Sequence, residues 1–109
     1  MLRRGNIVSI VVQGDFGKPR PALLIQSDMF NVAHATFTVM LISSELIDAP
    51  LFRLDIEPDK DNGLTRTSQI LVDKLMTVRR ERVGQLIGRV DDAMMVRVNR
   101  ALALWIGLA

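Results

Sequence analysis

Short apolar runs separated by turn-forming residues recur along most of the chain and predict six strands. Each run has strand length and is rich in Val, Ile, Leu, Thr or Phe, which suit a pleated, half-buried surface. Gly14 and the Asn62-Gly63 pair mark reverse turns between runs. The six predicted strands are residues 7–12, 22–26, 36–42, 51–56, 68–72 and 83–88.

The end of the chain has helical rather than strand spacing. Asp91 is placed to cap a helix and Asp92 to favour its N-terminal dipole. The apolar residues that share one side of this helix, and are predicted to be core, are Met94, Met95, Val98, Leu102, Trp105 and Ile106. Strands followed by one helix predict a mainly β fold, a small antiparallel barrel or sheet carrying a C-terminal helix, with residues 1–109 as a single domain.

Composition adds two expectations. Of the 109 residues 49% are hydrophobic, a high share for a small chain, and this predicts that the core is completed in a homodimer. The net charge is only +2, yet 11 of the 14 basic residues are arginine, whose planar fork suits phosphate better than the point charge of lysine. The arginine bias favours a phosphate-containing partner.

Cysteine is absent, and His34 is the only histidine, so the sequence predicts no disulfide, no metal site and no cofactor. The apolar run at residues 7–12 is too short for a signal peptide and lacks a cleavage site after it. No apolar segment approaches the ~20 residues that cross a bilayer. We therefore expect a cytoplasmic protein without a membrane partner.

The most distinctive stretch runs from Gly14 to Asp28. Two glycines open it, and Arg20 then stands between Pro19 and Pro21, which fix the backbone angle φ and favour extended geometry. A short apolar strand follows directly. Arg20 is thus predicted on a stiff segment where a loop enters a strand, a position suited to holding an anion.

This stretch, with Arg4-Gly5 before it and Phe30-Asn31 after it, resembles the RNA-cleaving toxins of the MazF/PemK type. The corresponding residues are Arg4-Gly5-Asn6-Ile7, the 14–18 loop, the segment from Arg20 to Asp28, and Phe30-Asn31. Weaker similarities extend over essentially the whole chain. The resemblance implies an SH3-like barrel of the CcdB/MazF fold that forms a homodimer and is inhibited by the tail of a cognate antitoxin. It also implies a metal-independent, sequence-specific endoribonuclease acting on single-stranded RNA and leaving a 2′,3′-cyclic phosphate and a 5′-hydroxyl.

The resemblance also implies site residues. The family's RNA-cleaving arginine corresponds to Arg20, and its second catalytic position, a threonine or serine closing the third strand, corresponds to Ser43. His34 corresponds to no catalytic position and is interpreted as a loop histidine. The further side chains expected to contact RNA are Lys18, Ser44, Phe52, Thr67, Gln69, Arg79 and Arg80.

Some of these assignments have structural alternatives. Arg79 and Arg80, together with Arg82, can track an RNA backbone or form a solvated connector that Glu81 partly neutralises. Phe52, like Phe30, can stack on a base or pack in the core.

Two departures from the family pattern affect the expected mechanism. The loop at residues 14–18 is shorter than in many members and lacks their Glu-Gln pair. PemK-like members place an arginine two residues before the aspartate that corresponds to Asp73, and here that position is Leu71. A mechanism that requires an Arg/Asp pair at these positions is therefore not available.

Two other functions remain open from sequence. A gyrase poison of the CcdB type shares the fold and ends in a similar helix, which Leu104-Trp105-Ile106-Gly107 resembles, but it lacks the arginine–proline signature. A non-catalytic barrel module would use Arg20 only to anchor an acidic partner. In the nuclease interpretation Trp105 is predicted to be core, whereas a gyrase poison would expose it.

Overall fold

Six antiparallel strands and a C-terminal helix build the molecule. The structure is a computed structural model that describes residues 1–109. The strands are β1 (Asn6–Val11), β2 (Pro19–Leu24), β3 (Thr36–Ser43), β4 (Arg53–Ile56), β5 (Ser68–Arg79) and β6 (Val83–Arg89). A short helix α1 (Asp28–Asn31) connects β2 to β3, a 3₁₀ turn covers Arg80–Arg82, and α2 (Asp92–Trp105) ends the fold. No helix is long and apolar enough to cross a membrane.

The strands form one sheet in the order β4-β5-β3-β2-β1-β6, with every pairing antiparallel. The mainly β fold with a C-terminal helix is confirmed, but the predicted barrel does not close by pairing, because β4 and β6 are both edge strands. The loop after β4 bridges this gap: the Arg89 amide donates to the Asp61 carbonyl at 2.9 Å. Asn62, only 1% exposed, braces the loop by donating to the Glu57 carbonyl at 2.8 Å.

Apolar side chains are buried on both faces of the sheet. One row across it joins Ile7, Leu23 and Met40, and this face packs against Val98 and neighbouring residues of α2. The adjacent row, which includes Val8 and Ala22, belongs to a second cluster on the other face. Burial on both faces explains why the second strand reads as a continuous apolar run rather than an alternating one.

The boundaries of β2 and β5 differ from the prediction in ways that matter for the site. β2 starts at Pro19 rather than at residue 22, which puts Arg20 in the strand, opposite Ile10 of β1. β5 continues to Arg79 rather than ending at residue 72. Its middle is bulged, since the single β3 residue Leu41 faces residues 71–74, and the polar residues of the bulge had interrupted the apolar pattern.

Helix α2 starts as predicted, because the Asp91 side chain accepts a hydrogen bond from the Met94 amide at 2.8 Å. Val98 and Ala101 are its buried residues. The predicted core position of Trp105 is wrong: its side chain is 49% exposed, and one side of it packs against Phe52 with ring centroids 5.5 Å apart. Helix α2 ends at Trp105, and the other side of its ring is exposed.

The close contact between β6 and the loop after β4 predicts that two glycine substitutions lower the free energy of unfolding by different amounts. Gly63 and Gly14 both have positive φ, 70° and 85°, but a Cβ on Gly63 would overlap the Ile87 carbonyl oxygen, whereas one on Gly14 meets nothing within 4 Å. Gly14→Ala should cost about 1–2 kcal/mol from backbone strain alone. Gly63→Ala should cost about 2–5 kcal/mol, since overlap is added. Urea denaturation measures both losses of stability. Equal losses would contradict a close contact between Gly63 and β6.

Candidate active site

Arg20 and Ser43 lie opposite each other where β2 and β3 separate. The last pair of this ladder is Ala22 with Leu41, so a continued register would place Arg20 directly opposite Ser43. Pro19 and Pro21 have no N–H to donate, so they cannot extend a ladder towards β3. The strands therefore part at this point, and Arg20 and Ser43 line the opening between them.

The opening leads into a hollow of about 370 Å³ bounded by three segments of chain. These are the start of β2, the end of β3 and the segment that enters β5. Most of its polar lining can donate hydrogen bonds or carries positive charge: Lys18, Arg20, Ser43, Ser44, Thr65 and Arg66. An anion with several oxygen atoms fits this lining chemically.

The guanidinium of Arg20 already holds an anion in the structure. Nε donates to Asp15 Oδ2 at 2.6 Å and Nη2 donates to Oδ1 at 3.1 Å, a bidentate pair. The hydrogen bond from Arg20 lowers the pKa of Asp15 below its usual range, and the same bond raises the pKa of Arg20. The carboxylate therefore stays ionised at neutral pH and occupies the fork that a phosphate would use.

Ser43 ends β3, and its hydroxyl oxygen accepts one hydrogen bond within the protein. Its Oγ accepts a hydrogen bond from the Glu45 amide at 3.1 Å, which begins the turn after the strand. The hydroxyl hydrogen has no protein acceptor, so it can donate to an anion bound by Arg20. The turn is held from the other side by Gln69, whose amide exchanges hydrogen bonds with the Ile47 backbone at 3.0 and 2.9 Å.

Two further hollows continue from this opening. One of about 240 Å³ is also lined by Arg20 and Ser43, together with Asp15, Val12 and Leu71. Through Val12 it adjoins a larger hollow of about 810 Å³, whose polar lining includes Gln13, Arg79, Arg82 and the acidic Glu81. We call these three adjoining hollows the Arg20 groove. Basic side chains therefore lie on both sides of Arg20, and Leu71 gives the middle an apolar wall.

Thr67 and Gln69 lie outside the Arg20 groove. They line a separate hollow of about 290 Å³ beside Arg53 and Asp55. Thr67 donates to Glu57 Oε2 at 2.6 Å, and Gln69, only 5% exposed, also donates to Asp55 Oδ1 at 2.9 Å. The hydrogen-bonding groups of Gln69 are thus used to hold the turn after Ser43.

Arg80 and Phe52 also lie outside the Arg20 groove. Arg80 donates to the carbonyls of His34 and Asn31 at 3.0 and 2.6 Å and lies over the Phe37 ring at 4.3 Å. Phe52 is partly buried against the core and Trp105. Both side chains are therefore engaged in packing or in holding the segment around α1.

His34 lies in that same segment. Its Nδ1 accepts from the Thr36 amide at 3.2 Å, so the interpretation as a loop histidine fits its position.

Sequence reasoning missed Asp15 and Arg66 as site residues. Asp15 belongs to the glycine loop, and its spacing of five residues from Arg20 gives no local sign of a bidentate pair. Arg66 follows the Asn62-Gly63 turn, and only the return of that loop towards β5 brings it beside Lys18 and Arg20. A basic residue just before a strand was the one available signal for Arg66.

The fold matches solved toxin structures over almost its full length. A mycobacterial endoribonuclease in complex with its cognate antitoxin has a TM-score of 0.85 at 23% identity, covering 100% of this chain and 98% of that one. The MazE–MazF complex (Form-I) from Deinococcus radiodurans has a TM-score of 0.79 at 18% identity, covering 97% and 96%. These TM-scores establish the shared fold, and at identities below 25% they establish the fold alone.

Sequence comparison establishes the family. Residues 3–106 match the family described as PemK-like, MazF-like toxin of type II toxin-antitoxin system. The probable endoribonuclease MazF of Mycolicibacterium smegmatis is 41% identical over 109 residues, 99% of each protein. Endoribonuclease EndoA of Bacillus subtilis is 33% identical, covering 99% of this chain and 97% of the relative. Because the family match and both relatives span almost the entire sequence, the chain belongs to the PemK-like, MazF-like toxins of type II toxin–antitoxin systems.

Proposed function

We propose that this toxin is an endoribonuclease that cleaves single-stranded RNA in the Arg20 groove, with Arg20 and Ser43 as its catalytic residues. The observation that carries the proposal is the arrangement of these two side chains across the split between β2 and β3. Arg20 presents its fork there and already holds a carboxylate in it. A phosphodiester, like a carboxylate, shares a negative charge between two oxygens, so it can replace Asp15 in the fork of Arg20.

The proposed reaction uses the ribose as its own nucleophile. The 2′-hydroxyl oxygen attacks the adjacent phosphorus, the bond from phosphorus to the 5′-oxygen breaks, and the proton of the 2′-hydroxyl is balanced by one delivered to that leaving oxygen. The products are a 2′,3′-cyclic phosphate and a 5′-hydroxyl. Arg20 neutralises the charge that gathers on the phosphorus oxygens, and the Ser43 hydroxyl donates to one of them and fixes the phosphate in line.

The RNA is proposed to lie along the groove with basic side chains on both sides of the cleaved bond. Lys18 and Arg66 line the hollow at one end of the groove, and Arg79 and Arg82 line the hollow at the other end. Phosphate contacts of this kind supply affinity without sequence information. Base recognition is then left to polar groups such as Ser44 and Gln13.

Thr67, Gln69, Phe52 and Arg80 take indirect roles in the proposal. Gln69 and Thr67 hold the segments next to Ser43. Arg80 and Phe52 fix strand ends by packing. They are therefore positioning residues.

The proposed assembly is a homodimer of single toxin domains, inhibited in the cytoplasm by the tail of its antitoxin. Val96 and Leu104, 46% and 48% exposed, lie off the side of α2 that carries the buried Val98 and Ala101, and Trp105 is 49% exposed at the end of the helix. A second copy of the chain would cover these side chains. Toxin–antitoxin complexes among the structural neighbours support an antitoxin partner.

The half-exposed Trp105 is also the observation that favours the rival function, a gyrase poison acting through its C-terminus. The two functions predict opposite results when Arg20 and Trp105 are changed separately. Loss of growth inhibition on Trp105→Ala in a stable dimer, with Arg20→Ala still toxic, would assign the activity to the C-terminus.

Arg20→Ala should leave the protein folded and lower the rate of RNA cleavage by roughly 10³-fold, since two charge-assisted donors to the phosphorane are lost. Ser43→Ala should lower it by about 100-fold. Cleavage of a fluorescent RNA measures both rates, and Lys60→Ala in the exposed loop after β4 is the control for an equal loss of charge. Full activity of a folded Arg20→Ala protein would contradict the proposal.

The pKa of Asp15 should change when RNA binds. In the free protein the hydrogen bond from Arg20 lowers its pKa, so the carboxylate stays charged and the ion pair is lost only when pH falls through that lowered value. If phosphate takes over the Arg20 fork, the Asp15 pKa should rise towards and beyond its ordinary value of 3.8. NMR titration with and without a 2′-O-methyl oligonucleotide, which cannot be cleaved, measures the shift. An unchanged pKa in saturated complex would argue against exchange of partners.

Cleavage should continue in excess EDTA, because the proposed mechanism draws its nucleophile from the RNA and its positive charge from Arg20. The measurement is the cleavage rate before and after chelation, with added Mg²⁺ as the comparison. A rate that disappears with EDTA and returns with Mg²⁺ would show that Arg20 does not supply the charge stabilisation.

A further inference from the structure

The tip of the loop between β1 and β2 carries a fully exposed aromatic side chain in an unusual backbone conformation. Phe16 has an exposure of 104%, the highest among the large hydrophobic residues. It is also the only residue other than glycine with positive φ, at 53°. A bulky residue in this region is strained, and an unburied ring gains nothing from packing in return. The fold therefore gives Phe16 no role of its own.

The loop that presents Phe16 is held next to the reaction centre. Asp15 is tied to Arg20 through its side chain, its amide donates to the Val12 carbonyl at 3.1 Å, and its carbonyl accepts from the Lys18 amide at 3.0 Å. Asp15 lines the middle hollow of the Arg20 groove and Lys18 lines the adjoining one, while Phe16 lines neither. Phe16 therefore belongs to the loop segment between two residues that line the groove.

We propose that Phe16 is a stacking platform for an RNA base adjacent to the cleaved phosphate. This inference rests on the proposed ribonuclease function and adds a specificity-determining contact to it. A base offers a planar face to the ring, and its phosphate meets the positive charges of Lys18 and Arg20 close by.

The surroundings of Phe16 favour a nucleotide over an apolar protein segment. The neighbouring residues in the loop are Gln13, Gly14, Asp15, Gly17 and Lys18, none of which offers an apolar side chain. A hydrophobic peptide would bury one isolated ring among polar groups. A nucleotide combines one flat apolar face with an anion, and these complement the ring of Phe16 and the positive charge of Lys18.

The test is a set of variants at position 16 that all keep a Cβ, so that each shares the backbone strain of the native residue. Phe16→Ala should weaken binding of an uncleavable 2′-O-methyl oligonucleotide by about 5- to 150-fold, the loss typical of one stacked base. Phe16→Trp should bind at least as well as the native protein, and Phe16→Leu should fall close to Phe16→Ala. Under steady-state cleavage the loss should appear in KM with kcat little changed, since stacking is equal in ground and transition states.

Phe30→Ala is the matched control. Phe30, which the sequence left open as a base-stacking residue, is 53% exposed but lines none of the three hollows of the Arg20 groove. It follows the far end of β2, which is about 13 Å from Arg20 by strand rise alone. It should bind and cleave RNA as the native protein does. A 2-aminopurine base placed beside the cleavage site reports stacking directly, since its fluorescence should be quenched by the native protein and by Phe16→Trp but not by Phe16→Ala.

Two results would overturn the inference. One is native RNA affinity in a folded Phe16→Ala protein, and the other is equal affinity for Phe16→Leu and Phe16→Trp, which would indicate simple apolar contact. Native RNA affinity combined with escape from a co-expressed antitoxin would assign Phe16 to the protein partner instead. Failure of the proposed function is recognised separately: absence of RNA cleavage by the native protein would refute the ribonuclease activity, and native cleavage by Arg20→Ala would refute the Arg20 site.

Discussion

The absence of backbone N–H groups at Pro19 and Pro21 is the constraint on which the proposed site depends. A strand between two neighbours normally donates to both, and two prolines on alternate positions prevent β2 from doing so along its first three residues. Along these residues β2 is paired with β1 and is not paired with β3. The gap that results is bordered by Arg20 on one side and Ser43 on the other, and their opposition follows from the register of the paired part of the ladder.

The same prolines fix the backbone that carries Arg20, so little conformational entropy is lost when its guanidinium binds an anion. Asp15 occupies that guanidinium in the free protein. A carboxylate and a phosphate make similar bidentate contacts, so in the proposed function the binding of RNA is an exchange of one anion for another rather than the capture of a free cation. Such an exchange lowers the net affinity for any phosphate and leaves more of the discrimination to contacts outside the fork.

Many of the polar side chains near the site stabilise its walls. Gln69 holds the turn after Ser43, Asn62 braces the loop that closes the open side of the sheet, and Arg80 holds the segment around α1. Each directs hydrogen-bonding groups at backbone atoms, and Gln69 also donates to Asp55 Oδ1. Buried polar groups without partners are costly, so side chains used in this way are not free to bind a ligand. In the proposed function, the side chains that remain free to contact RNA are the exposed ones along the Arg20 groove.

The sequence by itself determined the local features: the number of strands, the helix that Asp91 caps, and the stiff arginine in a recognisable motif. These follow from periodicity, turn residues and capping, which act over a few residues. Tertiary structure decided the opposition of Arg20 and Ser43, the Asp15 partner of Arg20, the arrival of Arg66 and the length of β5. It also left Trp105 half exposed and gave Gln69 and Arg80 structural roles. Register, burial and hydrogen-bond partners depend on segments far apart in the chain, so no local pattern encodes them.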